Sequence, residues 1–392
     1  MSIHVTLTGR AVAKSGLLPD TAFELLTFIS KKSIYLQDLL IDCSESEGDN
    51  CDDFAFVMLL SAFGSQEYRK TSGDRRFLPY QFLKLPLAGP QERVKDLLLP
   101  GYTSDALNAA NIAYRWIRGA EMKTLESIFD VRSGVLLGMF ADASSILRGI
   151  ADILFAATST GSIKERPTNV DEAMVPSMRA LVAAIRQLAI RLDAGLPDDV
   201  IWMRTLTIQK TNGPPVATRR NLLSRQQIIN LRDASFNTPS DILDSGRFSG
   251  LLQALGAKSS VTRRLAEDLQ DATRNWRVAE RERLIERQKK RLPATCANLL
   301  LQFYAAREIE FEKVLDKIFS CFSITVSNRD DGKINGFPDF VVQTSNGSIL
   351  AIECKSKTVG DAVTFNDATD VIRKANVNGY RDAFKVTICQ PY

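Results

Sequence analysis

Residues 336–357 read GFPDFVVQTSNGSILAIECKSK, and this stretch decides the fold of the C-terminal part of the chain. Two runs rich in apolar and β-branched residues flank the turn-forming triplet Ser-Asn-Gly, which predicts a β-hairpin. Asp339 follows a proline at the start of the first run, and Glu353, Cys354 and Lys355 close the second. Because alternate side chains of a strand share a face, we expect Glu353 and Lys355 to project together and Cys354 to point into the opposite layer.

The position of Asp339 depends on the length of the hairpin loop. A two-residue loop would place Asp339 opposite Cys354, on the face of the hairpin away from Glu353 and Lys355. A three-residue loop over residues 345–347, with Gly347 left-handed, would place Asp339 opposite Glu353. Two carboxylates and a lysine are the groups that phosphodiester hydrolysis needs, because carboxylate oxygens hold Mg²⁺ and an ammonium group stabilises charge near the phosphate. This chemistry therefore predicts the longer, bulged loop.

The hairpin resembles the PD-(D/E)xK nuclease superfamily, which has the restriction-endonuclease-like fold. The resemblance lies in Pro338 and Asp339, thirteen intervening residues, and then Glu353-x-Lys355 at the end of a strand. It implies that Asp339 and Glu353 bind Mg²⁺, with Mn²⁺ as an alternative. It also implies that Lys355 orients the attacking water and stabilises the developing negative charge.

The same family often adds a glutamate from the helix before the first strand. Glu308, Glu310 and Glu312 are the candidates, beside an apolar stripe that faces the sheet and consists of Leu300, Phe303, Tyr304, Phe311, Val314, Leu315 and Ile318. Glu312 lies at one border of the stripe, Glu308 further inside on the same side, and Glu310 at the other border. We favour Glu312, then Glu308; a solvated face is the alternative for each.

The length of 392 residues fits two or three domains rather than one core. Helical periodicity dominates from about residue 20 to 290, and short β-rich runs follow Pro293. The prediction is a multidomain chain with a mostly α-helical N-terminal region and a small α/β restriction-endonuclease-like domain with a mixed central sheet. This domain should run helix, three strands, helix, strand. The predicted domains are 1–190, ratchet-like; 191–272, helix-hairpin-helix-like; 273–293, a basic connecting helix; and 294–392, the nuclease domain.

The helical region resembles the C-terminal part of Ski-like superfamily-two helicases over roughly residues 1–245. VTLTGRAVAKSGLLPDTAFELLTFI is similar to the end of their winged-helix region and the start of their ratchet domain. AYRWIRGAEMKTLESIFDVRSGVLLGMFADASSILRGIADIL matches the same region downstream. RLDAGLPDDVIWMRTLTI and SRQQIINLRDASFNTPSDIL look like the helix-hairpin-helix-like end of the repair-helicase branch. A generic helical bundle is the alternative.

Basic and aromatic side chains supply candidate DNA contacts. Those expected to touch phosphates are Arg204, Arg219, Arg220, Arg225 and Arg232, with Arg373, Lys374 and Tyr380 in the nuclease domain. Trp116 and Trp202 are candidates for base stacking, although each is more often a core residue. The stretch 274–291 holds eight basic and three acidic residues and fits either a solvated helix or a phosphate-contacting one.

Composition excludes several other classes. Six cysteines without a C-x-x-C pair argue against zinc sites and disulfide frameworks, and His4 is the single histidine, so carboxylates and lysine must carry any catalysis. The sequence has no run of 18 apolar residues and no export signal, which favours a soluble, cytoplasmic protein without a membrane partner.

The expected function is a Mg²⁺-dependent deoxyribonuclease joined to a helicase-derived DNA-binding region, in DNA repair or phage defence. No G-x-x-x-x-G-K-[ST] loop is present, so an ATPase motor must act in cis or in trans. The start within a helicase-like stretch and the end after a strand favour a motor in cis. The alternatives are a stand-alone restriction-like endonuclease with a helical recognition domain and a non-catalytic DNA-binding accessory module.

Overall fold

The computed structural model describes most of the chain as two compact units, Met1–Ala234 and Ser235–Tyr392. Within them the described residues are 5–45, 52–71, 94, 97, 103–159, 167–208, 220–256, 259–292, 296–322, 324–330, 336–344, 347–356 and 365–389. The predicted domain boundaries at residues 190, 272 and 293 stay predictions. One helix, Ser260–Lys289, runs through residue 272 without a break, so most of the basic stretch belongs to a longer helix.

The described part of the first unit is almost entirely helical, as its periodicity predicts. Its helices are α1 (Leu7–Ser15), α2 (Pro19–Glu45), α3 (Asp53–Phe63), α4 (Gln66–Thr71), α5 (Ser104–Ile117), α6 (Met122–Phe129), α7 (Ser133–Ala157), α8 (Val175–Ala194) and α9 (Arg225–Asp233). Two short strands, β1 (Thr207–Ile208) and β2 (Arg220–Asn221), pair antiparallel. The side chains of Thr6 and Thr103 cap the starts of α1 and α5, and Ser224 and Gln227 form a reciprocal capping box at α9.

Helices α7 and α8 pack together at the centre of this unit. By length and composition, α7 and the segment Glu172–Ala194, which ends with α8, are apolar enough to cross a membrane, and 56% and 33% of their most apolar windows are buried. Their outer faces carry two ion pairs, Arg148 with Asp193 and Arg186 with Asp152. Core helices of a protein in water combine a buried apolar stripe with a charged outer face in this way, which agrees with the prediction of a soluble protein.

A glycine controls the packing at the end of α8. Gly195 has φ +64°, and a Cβ at this position would lie 2.2 Å from the indole ring of Trp116. Trp116 is 5% exposed, stacks on Phe140 and donates its indole N–H to the Leu192 carbonyl over 2.9 Å. The backbone must therefore approach the indole more closely than any side chain would allow.

The acidic stretch 44–53 is predicted to be an exposed loop, and its described end differs. Asp53 is 4% exposed inside α3, and Asp52 receives a hydrogen bond of 2.7 Å from the largely buried guanidinium of Arg191. The distant arginine explains why Asp52 is only partly exposed, because the ion pair compensates the lost hydration of its carboxylate and local sequence does not reveal the partner.

The second unit contains the predicted α/β arrangement. Its helices are α10 (Pro239–Leu243), α11 (Phe248–Ala254), α12 (Ser260–Lys289), α13 (Ala297–Ala305), α14 (Glu308–Cys321) and α15 (Phe365–Val377), and its strands are β3 (Thr325–Arg329), β4 (Phe340–Gln343), β5 (Ile349–Lys355) and β6 (Phe384–Cys389). The strands lie in the order β3-β4-β5-β6; the first two pairings are antiparallel and the last is parallel. The mixed sheet and the predicted order of three strands, a helix and a fourth strand are confirmed.

The amphipathic stretch before the sheet is two helices rather than one. The chain breaks between α13 and α14, where Glu308 has φ +48°, a left-handed conformation that non-glycine residues rarely adopt. Phe303 and Phe311 pack across the break with ring centroids 5.0 Å apart, and the Glu308 N–H donates to Ser356 Oγ over 2.6 Å. Tertiary contacts therefore stabilise the break between the two helices, and neither a glycine nor a proline marks it in the sequence.

Helices α14 and α15 cover opposite faces of the sheet. On the α14 face, Leu315 and Phe319 form a cluster with Phe340, Val342 and Ile352, against which Cys354 packs. On the α15 face, Ala351 forms a second cluster with the buried side chains Val371, Ala375 and Ala383. The period-2 alternation along β5 thus places Cys354 with the α14 cluster and Glu353 on the α15 side, as predicted.

Candidate active site

The hairpin register brings Asp339 and Glu353 opposite each other. Phe340 pairs with Ile352 and Gln343 with Ile349. At the loop, Thr344 N–H donates to Ser348 O and Gly347 N–H to Thr344 O, each over 2.9 Å, and Gly347 has φ +85°. Residues 345–346 lie outside the described part of the chain, but this register is the one that the three-residue loop requires.

Asp339 is anchored at the start of β4. Its Oδ2 accepts the backbone N–H of Cys354 over 2.5 Å, and its carbonyl accepts the N–H of Asp330 over 3.1 Å. Pro338, which precedes it, is buried. The carboxylate of Asp339 is therefore held by β5 and its backbone carbonyl by the residue that follows β3, while Oδ1 stays near the α15 side, 4.0 Å from Lys374 Nζ.

Glu353 is the most deeply buried charged group of the site, at 2% exposure. Its Oε1 accepts hydrogen bonds from Lys355 Nζ over 2.9 Å and from Lys374 Nζ over 2.6 Å. Within the described structure, Oε2 is buried and has no hydrogen-bond partner. An unsatisfied buried carboxylate oxygen is costly unless something else binds it, so Oε2 is the atom of this site that is open to a ligand.

Lys355 lies between two acidic groups. In addition to Glu353, its Nζ is 3.9 Å from Asp370 Oδ2, and the other oxygen of Asp370 receives hydrogen bonds from Arg373 over 2.7 and 3.1 Å. Burial acts to lower the pKa of Lys355, but the hydrogen bond and charge of Glu353, followed by the charges of Asp370 and Asp339, raise it overall. The lysine is therefore a positioned cation and not a proton acceptor at neutral pH.

The three candidate glutamates of α14 differ in burial and in their electrostatic surroundings. Glu312 is half-buried, and burial and the charges of Asp339, Asp330 and Glu353 raise its pKa. Glu310 is exposed and pairs with Lys313 over 2.6 Å, and Glu308 is exposed at the helix start. Glu312 is thus the candidate that shares the electrostatic field of the hairpin carboxylates, and its catalytic role stays a prediction.

Burial also raises the pKa of Asp339, to about 6. The Cys354 hydrogen bond acts in the opposite direction, the charge of Glu353 adds to the increase, and Lys374 and Lys355 oppose it. A carboxylate that resists ionisation because it is desolvated beside another carboxylate gains from a bound cation, which favours the ionised form.

The carboxylate pair fits a divalent cation on chemical grounds. Asp339 and Glu353 supply hard oxygen ligands, and Glu353 Oε2 is buried without a partner. In the described part of the chain, no three His, Cys, Asp or Glu side chains are grouped so that they could hold a metal ion. Two protein carboxylates completed by water and phosphate oxygens match the habits of Mg²⁺, which keeps much of its hydration shell.

The basic residues predicted to contact DNA have different surroundings. In the first unit, Arg204 is exposed at the end of the 3₁₀ helix Asp198–Thr205, and Arg232 is half-exposed and paired with Asp199 over 2.8 Å. Arg219 lies outside the described residues, as does the side chain of Arg220 in β2. The side chain of Arg204 is therefore accessible to a DNA phosphate.

Arg225 has a structural environment instead. Its guanidinium lies 3.7 Å from the Trp116 ring centroid and donates to the carbonyls of Gly195 and Ala120 over 2.7 and 2.9 Å. Burial lowers its pKa to about 10. These contacts occupy the guanidinium, which argues against a phosphate role for Arg225 and against base stacking by Trp116; Trp202, half-buried, stays a prediction.

On α15, Lys374 and Arg373 point to different partners. Lys374, at 15% side-chain exposure, binds Glu353, whereas Arg373, at 66%, pairs with Asp370. Tyr380 packs edge-on against Phe337. Three basic residues of α12, Arg274, Arg283 and Lys289, pair with acidic residues of the same helix, and whether this stretch is solvated or contacts phosphates stays open.

Sequence reasoning missed two acidic members of the site. Asp370 reaches Lys355 from α15, and Asp330, at the end of β3, influences the pKa of Glu312. Asp370 and Lys374 are four residues apart beside the buried pair Val371 and Ala375, a helical spacing that places them together above the sheet. That signal was available in the sequence. The approach of Asp330 was not, because it depends on the β3–β4 pairing.

Comparison with protein-family models gives no match to this chain, and comparison with curated proteins gives none.

Proposed function

We propose that the second unit is a metal-dependent nuclease of the PD-(D/E)xK type that hydrolyses phosphodiester bonds in DNA. The observation that carries the proposal is the register, which sets Asp339 against Glu353 and leaves the buried Oε2 of Glu353 without a partner. The order of helix, three strands, helix and strand, with a mixed sheet between two helices, supports the same assignment.

The residues divide the work as follows. Asp339 and Glu353 would hold a Mg²⁺ ion, or Mn²⁺, and a cation bound there would supply a polarised water and neutralise charge on the scissile phosphate. Lys355 is held by Glu353 and Asp370, so its ammonium can stabilise negative charge without searching for its position. Glu312 adds a carboxylate from the other helix layer.

The first unit is proposed to be the helicase-derived DNA-binding region, which receives strand from a motor in cis or in trans in DNA repair or phage defence. Exposed Arg204 supports this role, whereas Arg225 and Trp116 belong to the core. A restriction-like endonuclease with a helical recognition domain is the alternative that uses the same active site.

A non-catalytic DNA-binding module is favoured by one observation. Two ammonium groups, those of Lys355 and Lys374, already donate hydrogen bonds to Glu353 Oε1 and neutralise its charge. Cleavage distinguishes the two functions.

The test is cleavage of linear, circular and single-stranded DNA by the full chain in Mg²⁺ or in EDTA. Lys355→Ala and Asp339→Ala should bind DNA and cut at least about a hundredfold more slowly. Lys313→Ala, an exposed lysine paired with Glu310, is the matched control and should cut normally. DNA binding without any metal-dependent cleavage by the wild-type chain would favour the non-catalytic module.

A further inference from the structure

Lys374 has a place that neither the hairpin motif nor a phosphate-contact role explains. Its Nζ lies 2.6 Å from Glu353 Oε1 and 4.0 Å from Asp339 Oδ1. Within the described residues, it is the one ammonium group that lies within 4.0 Å of both carboxylates. Lys355, by comparison, is held between Glu353 and Asp370.

The fold fixes this position. Val371 and Ala375, on either side of Lys374 along α15, are buried against β5, so the helix cannot turn the lysine away without exposing apolar surface. The side chain is 15% exposed. The backbone carbonyl of Lys374 accepts a hydrogen bond from the side-chain amide of Asn378. The same amide also donates to the carbonyl of Gly336, three residues before Asp339.

We propose that Lys374 is a positioning residue that holds the Asp339–Glu353 pair together, and that its ammonium competes with a divalent cation for these carboxylates. The inference rests on the proposed function, because it takes the pair as the cation site. A cation bound to both carboxylates meets a like charge at Lys374, so binding must displace the ammonium group or pay the repulsion between the two. By the same linkage, the Lys374 ammonium group lowers the affinity of the two carboxylates for the cation.

The neighbouring Arg373 provides a matched control. It carries the same charge on the same helix turn, but it is 66% exposed and its contact is with Asp370. A general loss of positive charge would affect both variants alike, whereas direct competition affects Lys374 alone.

The experiment is calorimetric titration of Mn²⁺ into the full chain without DNA, for wild type, Lys374→Met and Arg373→Met. Competition predicts that Lys374→Met binds Mn²⁺ roughly tenfold more tightly than wild type, and that Arg373→Met changes the affinity by less than about threefold. Melting temperatures verify folding, and Lys374→Gln replaces Lys374→Met if the latter does not fold.

Each outcome is decisive. Equal or weaker Mn²⁺ binding by Lys374→Met, or equal tightening by both variants, would overturn the competition while leaving the cation site in place. No Mn²⁺ binding by either wild type or Lys374→Met would overturn the cation site and the proposed function with it. Binding by Lys374→Met alone would support both.

Discussion

The backbone N–H of Cys354 donates to Asp339 Oδ2 over 2.5 Å, which ties the acidic residue at the start of one strand to the end of the next. Together with the hairpin register, this bond sets where Asp339 lies relative to Glu353. It also uses one carboxylate oxygen, so that the other stays on the side of Lys374.

The raised pKa of Asp339 predicts a pH-dependent stability in the cation-free protein. Its folded pKa is about 6 and its ordinary value 3.8. Between these values the folded state holds more protons than the unfolded state, so the free energy of unfolding should fall by about 2 kcal/mol as pH rises through this window. Asp339→Asn, which keeps an acceptor for Cys354, should remove this fall. Denaturant titrations in EDTA at pH 4 and pH 8 measure it; an unchanged pH dependence in the variant would contradict the assignment.

Gly195 should be intolerant of a side chain. Gly195→Ala places a methyl group 2.2 Å from the Trp116 ring at φ +64°, and should destabilise the first unit by about 3 kcal/mol. Gly16→Ala is the control, because Gly16 has φ +74° and nothing lies within 4 Å of its Cβ position. It should lose only about 1 kcal/mol. Equal losses in thermal unfolding would show that the close approach to Trp116 is unimportant.

Arg204 and Arg225 should differ in DNA binding. Arg204→Ala should weaken DNA binding modestly, reduce the salt dependence by about one counterion and leave the melting temperature unchanged. Arg225→Ala should instead lower the melting temperature, since it removes contacts to two carbonyls and the Trp116 ring. Fluorescence anisotropy over a salt series, together with thermal melts, measures both effects. A loss of DNA affinity in a fully stable Arg225→Ala would restore its predicted phosphate role.

Glu312 should matter for cleavage where Glu310 does not. Glu312→Gln removes a half-buried carboxylate beside the hairpin pair and should slow cleavage by about 10- to 100-fold. Glu310→Gln, two residues away, is exposed and paired with Lys313, and should cut at the wild-type rate. Single-turnover rates at saturating enzyme compare the two variants. Equal rates for both would remove Glu312 from the site.

The alternation along β5 could be predicted because its information is local. The loop length that sets the register was predicted instead from the chemistry of phosphodiester hydrolysis, and Gly347, with φ +85°, and the Thr344–Ser348 bond agree with it. The preference for Glu312 rested on helical periodicity together with the resemblance to the nuclease family.

Structural features that depend on residues distant in the chain could not be predicted from the sequence. The break before Glu308 is held by Ser356, forty-eight residues later, and Asp52 is only partly exposed because it pairs with the distant Arg191. Arg225 looked like a phosphate ligand because a basic residue near a helix start suits that role. Its actual partners are the carbonyls of Gly195 and Ala120, which tertiary packing supplies.

The most direct test of the cation site is the location of Mn²⁺ in crystals of the full chain, from its anomalous scattering. We predict a peak within about 2.5 Å of both an Asp339 oxygen and Glu353 Oε2, with the Lys374 ammonium displaced. Mn²⁺ bound elsewhere, with Lys374 still bridging the two carboxylates, would contradict the account.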